Sequence, residues 1–432
     1  MASYYFPLTI KDAMYIFNGD RFLDFIDTKK FKNDVAAEFD VSEEVNKLEF
    51  ADYYSSLKKS YSAETIDFIF FENIFYSHLK NIYVDQILGH PNLQIDFFKE
   101  KVKKLIDKIN IKDTIPAALH SYMSEDGFYL MDSLNISSIN TTFIAGYDYN
   151  TEKGSVTSAR FLFVEVVPKK IQGVDYFIAG IELDFTKNLV LTMIKNITEL
   201  KKENNVTPTT THQLHKTVVN KVLYTLGISL KEIDVKDDRK GMYDFCKYLD
   251  NALLEDLRTE VKSRTSKPIR ASVDKLNKSL FTDDKSLNGI DKSDLNKKIQ
   301  ALLLSYYIEY NIKPTELVKK AKKQKLVGYP TRIKFTSNKS SRSSTQSSNS
   351  KQPVSASDMF HSLYFSFEQA LELDNWSISW FTDYLFTDEE KTDVIQTTIY
   401  STSKQFRVVF RPTRALNKEI IHYVIDQINS YR

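Results

Sequence analysis

The sequence predicts a multidomain α+β protein, and three observations carry that reading. Apolar spacing changes from helical to alternating and back to helical along the 432 residues. Turn-like connections separate four β-branched, aromatic runs between residues 136 and 198. A serine-rich stretch, "NKSSRSSTQSSNSKQPVSA", interrupts the chain before a last block of mixed pattern. With 42% hydrophobic and 13% aromatic residues, the composition supports packed cores. The 11 glycines and 10 prolines are too few for collagen-like, propeller or glycine-rich repeat architectures.

Residues 1–135 read as a helical region. Ser62 suits the N-cap of a long helix, "AETIDFIFFENIFYSHLKNIYVDQIL", whose apolar residues cover most of its circumference. Such a helix belongs in a core. Pro91 and Asn92 then open "NLQIDFFKEKVKKLIDKIN". Residues 136–200 read as an antiparallel meander packed on those helices. In "GIELDF", Ile181, Leu183 and Phe185 face one side and Glu182 and Asp184 the other.

Residues 201–337 return to helix and end in a basic element. "SDLNKKIQALLLSYYIEYNI", with Ser293 as N-cap and Gly289 in its approach, is followed by "KPTELVKKAKKQKLVGYPTRIKF". Pro314 suits the first turn of a second helix, where its missing N–H costs nothing. Leu317, Ala321 and Leu326 would seat that helix on the first, leaving Lys319, Lys320, Lys322, Lys323 and Lys325 outward. The strand after it carries Arg332 and Lys334 on one face. Over about forty residues this resembles the shape of a winged helix-turn-helix, in which a basic helix enters a major groove and the wing touches phosphates. The plain alternative is that lysines in a last helical turn merely complement the helix dipole.

Residues 338–356 read as a flexible linker, and 357–432 as a small α+β domain. There Phe360, Leu363, Tyr364, Phe367 and Leu371 line one helix face as core. Trp376 and Trp380 fasten the domain. "VIQTTIYS" and "KQFRVVFRP" form a hairpin, and "NKEIIHYVIDQINSYR" closes the chain. Arg407 and Arg411 share a strand face, with Arg414 in the following loop; arginine suits bidentate phosphate contact. Salt bridges to Asp388, Glu389 and Glu390 are the alternative.

The charge balance, 59 basic against 57 acidic residues, excludes a global argument for nucleic acid or membrane. Cys246 is the only cysteine, so there is no internal disulfide and no cysteine zinc site. No P-loop, dinucleotide fingerprint, HExxH or GxSxG stretch occurs. His212 and His215 sit at i and i+3, too few ligands for a metal. Glu165, Glu182 and Asp184 lie on strands, and a metal-dependent nuclease would use such carboxylates. However, the Lys169 and Lys187 spacings do not fit that chemistry, and Asp234 with Lys236 follows a helix.

The expectation is a cytoplasmic, non-catalytic nucleic-acid-associated protein without metal, cofactor or membrane partner. It would act as a regulator or as a subunit of a larger assembly, in a bacterial or phage mobile-element or defence setting. DNA or RNA is the expected ligand, with a protein partner as a further one. The alternatives are a protein-interaction scaffold or immunity factor, and a metal-dependent nuclease.

Overall fold

A computed structural model describes residues 15–110, 115–169, 172–195, 210–280, 292–336, 342–349 and 351–432. It is mixed helix and strand with every strand pairing antiparallel, the expected α+β class. The chain packs as two units. Unit 1 holds residues 1–232, 407–409 and 413–418; unit 2 holds 233–406, 410–412 and 419–432.

Unit 1 begins with a 3-10 turn, Asp20–Phe25, and short helices α1 (Thr28–Glu38), α2 (Glu43–Asn46) and α3 (Phe50–Ser60). The Asp27 carboxylate caps α1 by accepting from the Lys29 and Lys30 amides. Helix α4 (Ala63–Ser77) starts at Ser62, whose hydroxyl accepts from the Thr65 amide. It stops well short of the long helix expected from its apolar run. Residues 81–86 instead form strand β1 (Asn81–Gln86), paired along its length with β6. A continuous apolar run suits a buried helix and a buried strand equally. Here the hydrogen bonds of a neighbouring strand decide.

After β1 come α5 (Ile95–Ile109), α6 (Ala117–His120) and β2 (Phe128–Tyr129). The meander follows as β3 (Thr142–Glu152), β4 (Ser155–Pro168), β5 (Val174–Asp184) and β6 (Leu189–Ile194). All four strands overlap the β-branched, aromatic runs expected to form them. Strand order is β2-β3-β4-β5-β6-β1, and Val409, Val408 and Arg407 then pair with Asn81, Ile82 and Tyr83. Helix α4 covers one face. Gly146 on β3 permits this approach, because a Cβ there would lie 2.8 Å from the Phe71 ring. The other face takes α5, α7 (Thr211–Val218), a π-helical turn (Val219–Leu223) and α8 (Tyr224–Leu226).

Unit 2 opens with α9 (Val235–Leu280), 46 residues long with Pro268 inside. Then come α10 (Lys292–Asn311), α11 (Pro314–Lys323), β7 (Gly328–Thr336), β8 (Arg342–Gln346) and α12 (Asp358–Ala370). Strands β9 (Asn375–Phe381), β10 (Val394–Thr402) and β11 (Gln405–Phe410), and helix α13 (Lys418–Asn429), complete the chain. Strands β8, β7, β9 and β10 are neighbours in that order. On one face Trp376 and Trp380 meet Phe245 of α9, and Phe335 meets Phe367 of α12.

Two boundaries differ from expectation. Residues 342–346, inside the expected linker, are a strand hydrogen-bonded to β7. The polar Ser-Ser-Thr sequence has weak apolar signal, so only its partner reveals it. Residues 357–432 do not stand apart, because β9 pairs with β7 and its tryptophans pack on α9. Gly289 and residues 338–341 and 350 lie outside the described residues.

Candidate nucleic-acid interface

The basic helix proves to be largely committed within unit 2. Leu317, Val318 and Ala321 bury α11 against α9 and β7, while α10 packs on α9 and α12. The two helices of the expected helix-turn-helix therefore share α9 as their support. Lys322, expected outward, is buried. Its Nζ donates to the Asp383 carboxylate at 2.8 Å and to the Asp383 carbonyl at 2.7 Å. That lysine bond, reinforced by the Thr387 and Asp388 amides, holds the Asp383 carboxyl well below the usual carboxylate range. A side chain so enclosed cannot reach a phosphate. Lys319 pairs with Glu390 at 2.9 Å and Lys320 with Asp256 at 2.5 Å. Lys323 and Lys325 are exposed at the helix end.

A different surface gathers the remaining cations. Register places Arg332 opposite Ser377 and Gln346, and Lys334 opposite Asn375 and Ser344. Ser377 in turn faces Thr398, and Asn375 faces Tyr400. Arg411 joins the same face, since its Nε donates to the Thr398 hydroxyl at 3.0 Å and an Nη to the Tyr400 hydroxyl at 3.0 Å. Arg342, opposite Thr336 two positions beyond Lys334, is the fourth cation. Between them stand Ser, Thr, Asn, Gln and Tyr.

No carboxylate occupies a position on this face among the described residues of β7–β10. None of the four cations makes an ion pair among the described residues. Arg342 and Arg411 are exposed, Arg332 and Lys334 half-buried, and the Arg332 Nε–H is buried without a partner. Like charges gathered on one face repel, and an approaching polyanion relieves that cost.

Arg342 was not foreseen, because it sits in the serine-rich stretch. The available signal was the alternation of Arg342, Ser344 and Gln346. Arg407 and Arg414 lie in unit 1, so the expected trio with Arg411 is divided between units. The Arg407 guanidinium lies 5.8 Å from the Tyr83 ring centre, and the Arg414 carbonyl accepts from Lys80 Nζ at 2.8 Å.

The unit 1 carboxylates do not assemble a nuclease site. Glu182 stands opposite Arg160, five residues along β4 from Glu165, which is about 16 Å at strand rise. The odd number also turns Glu165 to the opposite face. Glu182 accepts from the Tyr76 hydroxyl at 3.0 Å, and Asp184 accepts from the Thr186 and Lys187 amides in a turn. Burial pushes the Glu165 carboxyl up to about 7. His215 is paired with Asp85, Nε2 to Oδ2 at 2.8 Å, and stacked on Tyr83. Among the described residues no cluster of three or more His, Cys, Asp or Glu side chains could hold a metal ion. No described helix is long and apolar enough to cross a membrane.

No protein-family model matches this chain, and no curated protein or solved structure matches it.

Proposed function

We propose that the protein is a non-catalytic nucleic-acid-associated protein whose contact surface is the β7–β10 face of unit 2. It works as a regulator or as a subunit of a larger assembly. The observation that supports this reading is the concentration of Arg332, Lys334, Arg342 and Arg411 on one sheet face without a carboxylate. Four strands at about 4.8 Å spacing are about 14 Å wide, more than a major groove admits. A single strand laid across the sheet fits better than a duplex.

The test is binding of labelled single-stranded DNA, RNA and duplex across a salt series. Wild type is compared with R332Q/K334Q/R342Q/R411Q and with K319Q/K320Q/K323Q. Four phosphate contacts predict a slope of about −3 in log affinity against log salt for single strands, or about 50-fold loss between 50 and 200 mM. The sheet variant flattens that slope; the helix variant leaves most of it. Absence of binding at 50 mM salt, or equal slopes for wild type and the sheet variant, overturns the reading.

A protein-interaction scaffold is the second reading. It is favoured by Leu302, Tyr306 and Tyr310, an exposed i, i+4, i+8 stripe on α10.

A further inference from the structure

Helix α10 is apolar on two opposite faces, and only one of them is buried. Leu304, Ser305 and Ile308 mark the buried face, where the helix packs on α9 and α12. At 3.6 residues per turn, Leu295, Ile299, Leu302, Leu303, Tyr306 and Tyr310 fall on the opposite arc, about 100° wide. No charged residue between positions 293 and 311 falls within that arc. Leu302, Tyr306 and Tyr310 are 51%, 61% and 69% exposed, and Leu295, Ile299 and Leu303 are half-buried. The Tyr306 and Tyr310 ring centres lie 4.5 Å apart, which makes the patch continuous. A surface helix ordinarily turns its charged residues to this side, and a contiguous apolar face marks a contact site.

The charges that border the arc point to what covers it. Lys298 and Glu309 stand along the same edge, about 16 Å apart along the helix axis. Both are exposed, and neither makes an ion pair among the described residues. Lys298 Nζ lies 4.7 Å from the Phe365 ring centre of α12, which holds the ammonium on that edge. The midpoint between Lys298 and Glu309 falls between Leu303 and Leu304, and the midpoint between Leu302 and Tyr306 falls at Leu304. One two-fold axis therefore serves both pairs.

In a two-fold contact the same patch faces itself. With two α10 helices antiparallel, Leu302 meets Tyr306 of the second copy, and Ile299 meets Tyr310. Lys298 then meets Glu309 of the second copy, and the axis makes that pair twice. A parallel arrangement would set lysine beside lysine and glutamate beside glutamate.

We propose that α10 is a homodimer contact, its outer apolar face packing antiparallel on the same face of a second copy of this chain. The inference does not rest on nucleic-acid binding by the sheet. It assigns the stripe that favours the scaffold reading to self-association. One helix face, about 30 Å long for 20 residues, lies at the small end of protein interfaces. The dissociation constant is therefore on the order of 10 µM.

The test is sedimentation equilibrium of the full chain from about 1 to 200 µM, a range that brackets that constant. Wild type should pass from monomer to dimer. L302Q/Y306Q should raise the dissociation constant at least about tenfold, with an unchanged circular dichroism spectrum because both side chains are exposed. K298E and E309K should each raise it about threefold to tenfold, since each turns two attractions into two repulsions. K298E/E309K restores opposite charges across the axis and should return to the wild-type value. The sheet variant R332Q/K334Q/R342Q/R411Q should dimerise as wild type does. A monomer at the highest concentration, a dimer unmoved by L302Q/Y306Q, or a double reversal that recovers nothing each overturns the proposal. None of these results bears on whether the sheet binds nucleic acid.

Discussion

Asp67→Asn probes an arrangement in unit 1 where one lysine serves two buried carboxylates. Lys58 Nζ lies 2.8 Å from oxygens of both Asp67 and Asp132. The Tyr54 hydroxyl donates to Asp67 and the Tyr15 hydroxyl to Asp132, each at 2.6 Å. The three charged side chains are at most 6% exposed. Burial, then the Asp132 charge, push the Asp67 carboxyl up to about 7 against the opposing pull of Lys58.

The folded state thus holds a proton that the unfolded chain releases from about pH 4 upward. The contribution of Asp67 to stability is fullest below that pH and declines as pH rises toward 7. About three pH units at about 1.4 kcal/mol each make this a decline on the order of 4 kcal/mol. Asparagine keeps an acceptor for Tyr54 and Lys58 and removes the titration. Urea unfolding at pH 4, 5.5 and 7.5 measures the effect. Glu165 titrates in the same range in both proteins, so the difference between the two curves is the quantity read. The variant should lose most of its share of the decline and be at least as stable as wild type at pH 7.5. Parallel curves, or a loss above about 2 kcal/mol at pH 7.5, refute the reasoning.

Arg160→Met should cost about 3–5 kcal/mol in urea unfolding, because Asp148 is left buried without the guanidinium that bonds it at 2.6 and 2.9 Å. The double change with Asp148→Leu recovers part of that; a single-variant loss below about 1 kcal/mol contradicts it. Gly241→Ala would gain about 0.5–1 kcal/mol from helix propensity alone. Its Cβ would fall 1.8 Å from the Tyr431 carbonyl oxygen, so the thermal midpoint should drop as the chain end, held by the Arg432–Asp238 pair, is displaced. A raised midpoint would show that the chain end yields freely.

Local pattern carried much of the fold. The meander from Thr142 to Ile194 was legible because its strands are β-branched and aromatic runs and its turns are short. Ser62 announced α4 through its own side chain, and Phe360 and Phe367 announced a core face by spacing. What failed to show was set by partners distant in the chain. β1 looked like more helix until β6, over a hundred residues later, supplied its hydrogen bonds. β8 looked like linker because serine side chains give no apolar signal, and pairing with β7 makes it a strand. Lys322 resembled its neighbours in sequence, yet Asp383 buries it. Periodicity and capping act within a few residues, so the α+β class and the elements with a strong local signal could be read from the sequence. Strand pairing and ion pairing join residues tens to hundreds apart. Only the tertiary structure could therefore decide which lysines were committed and bring Arg342 to the same face as Arg411.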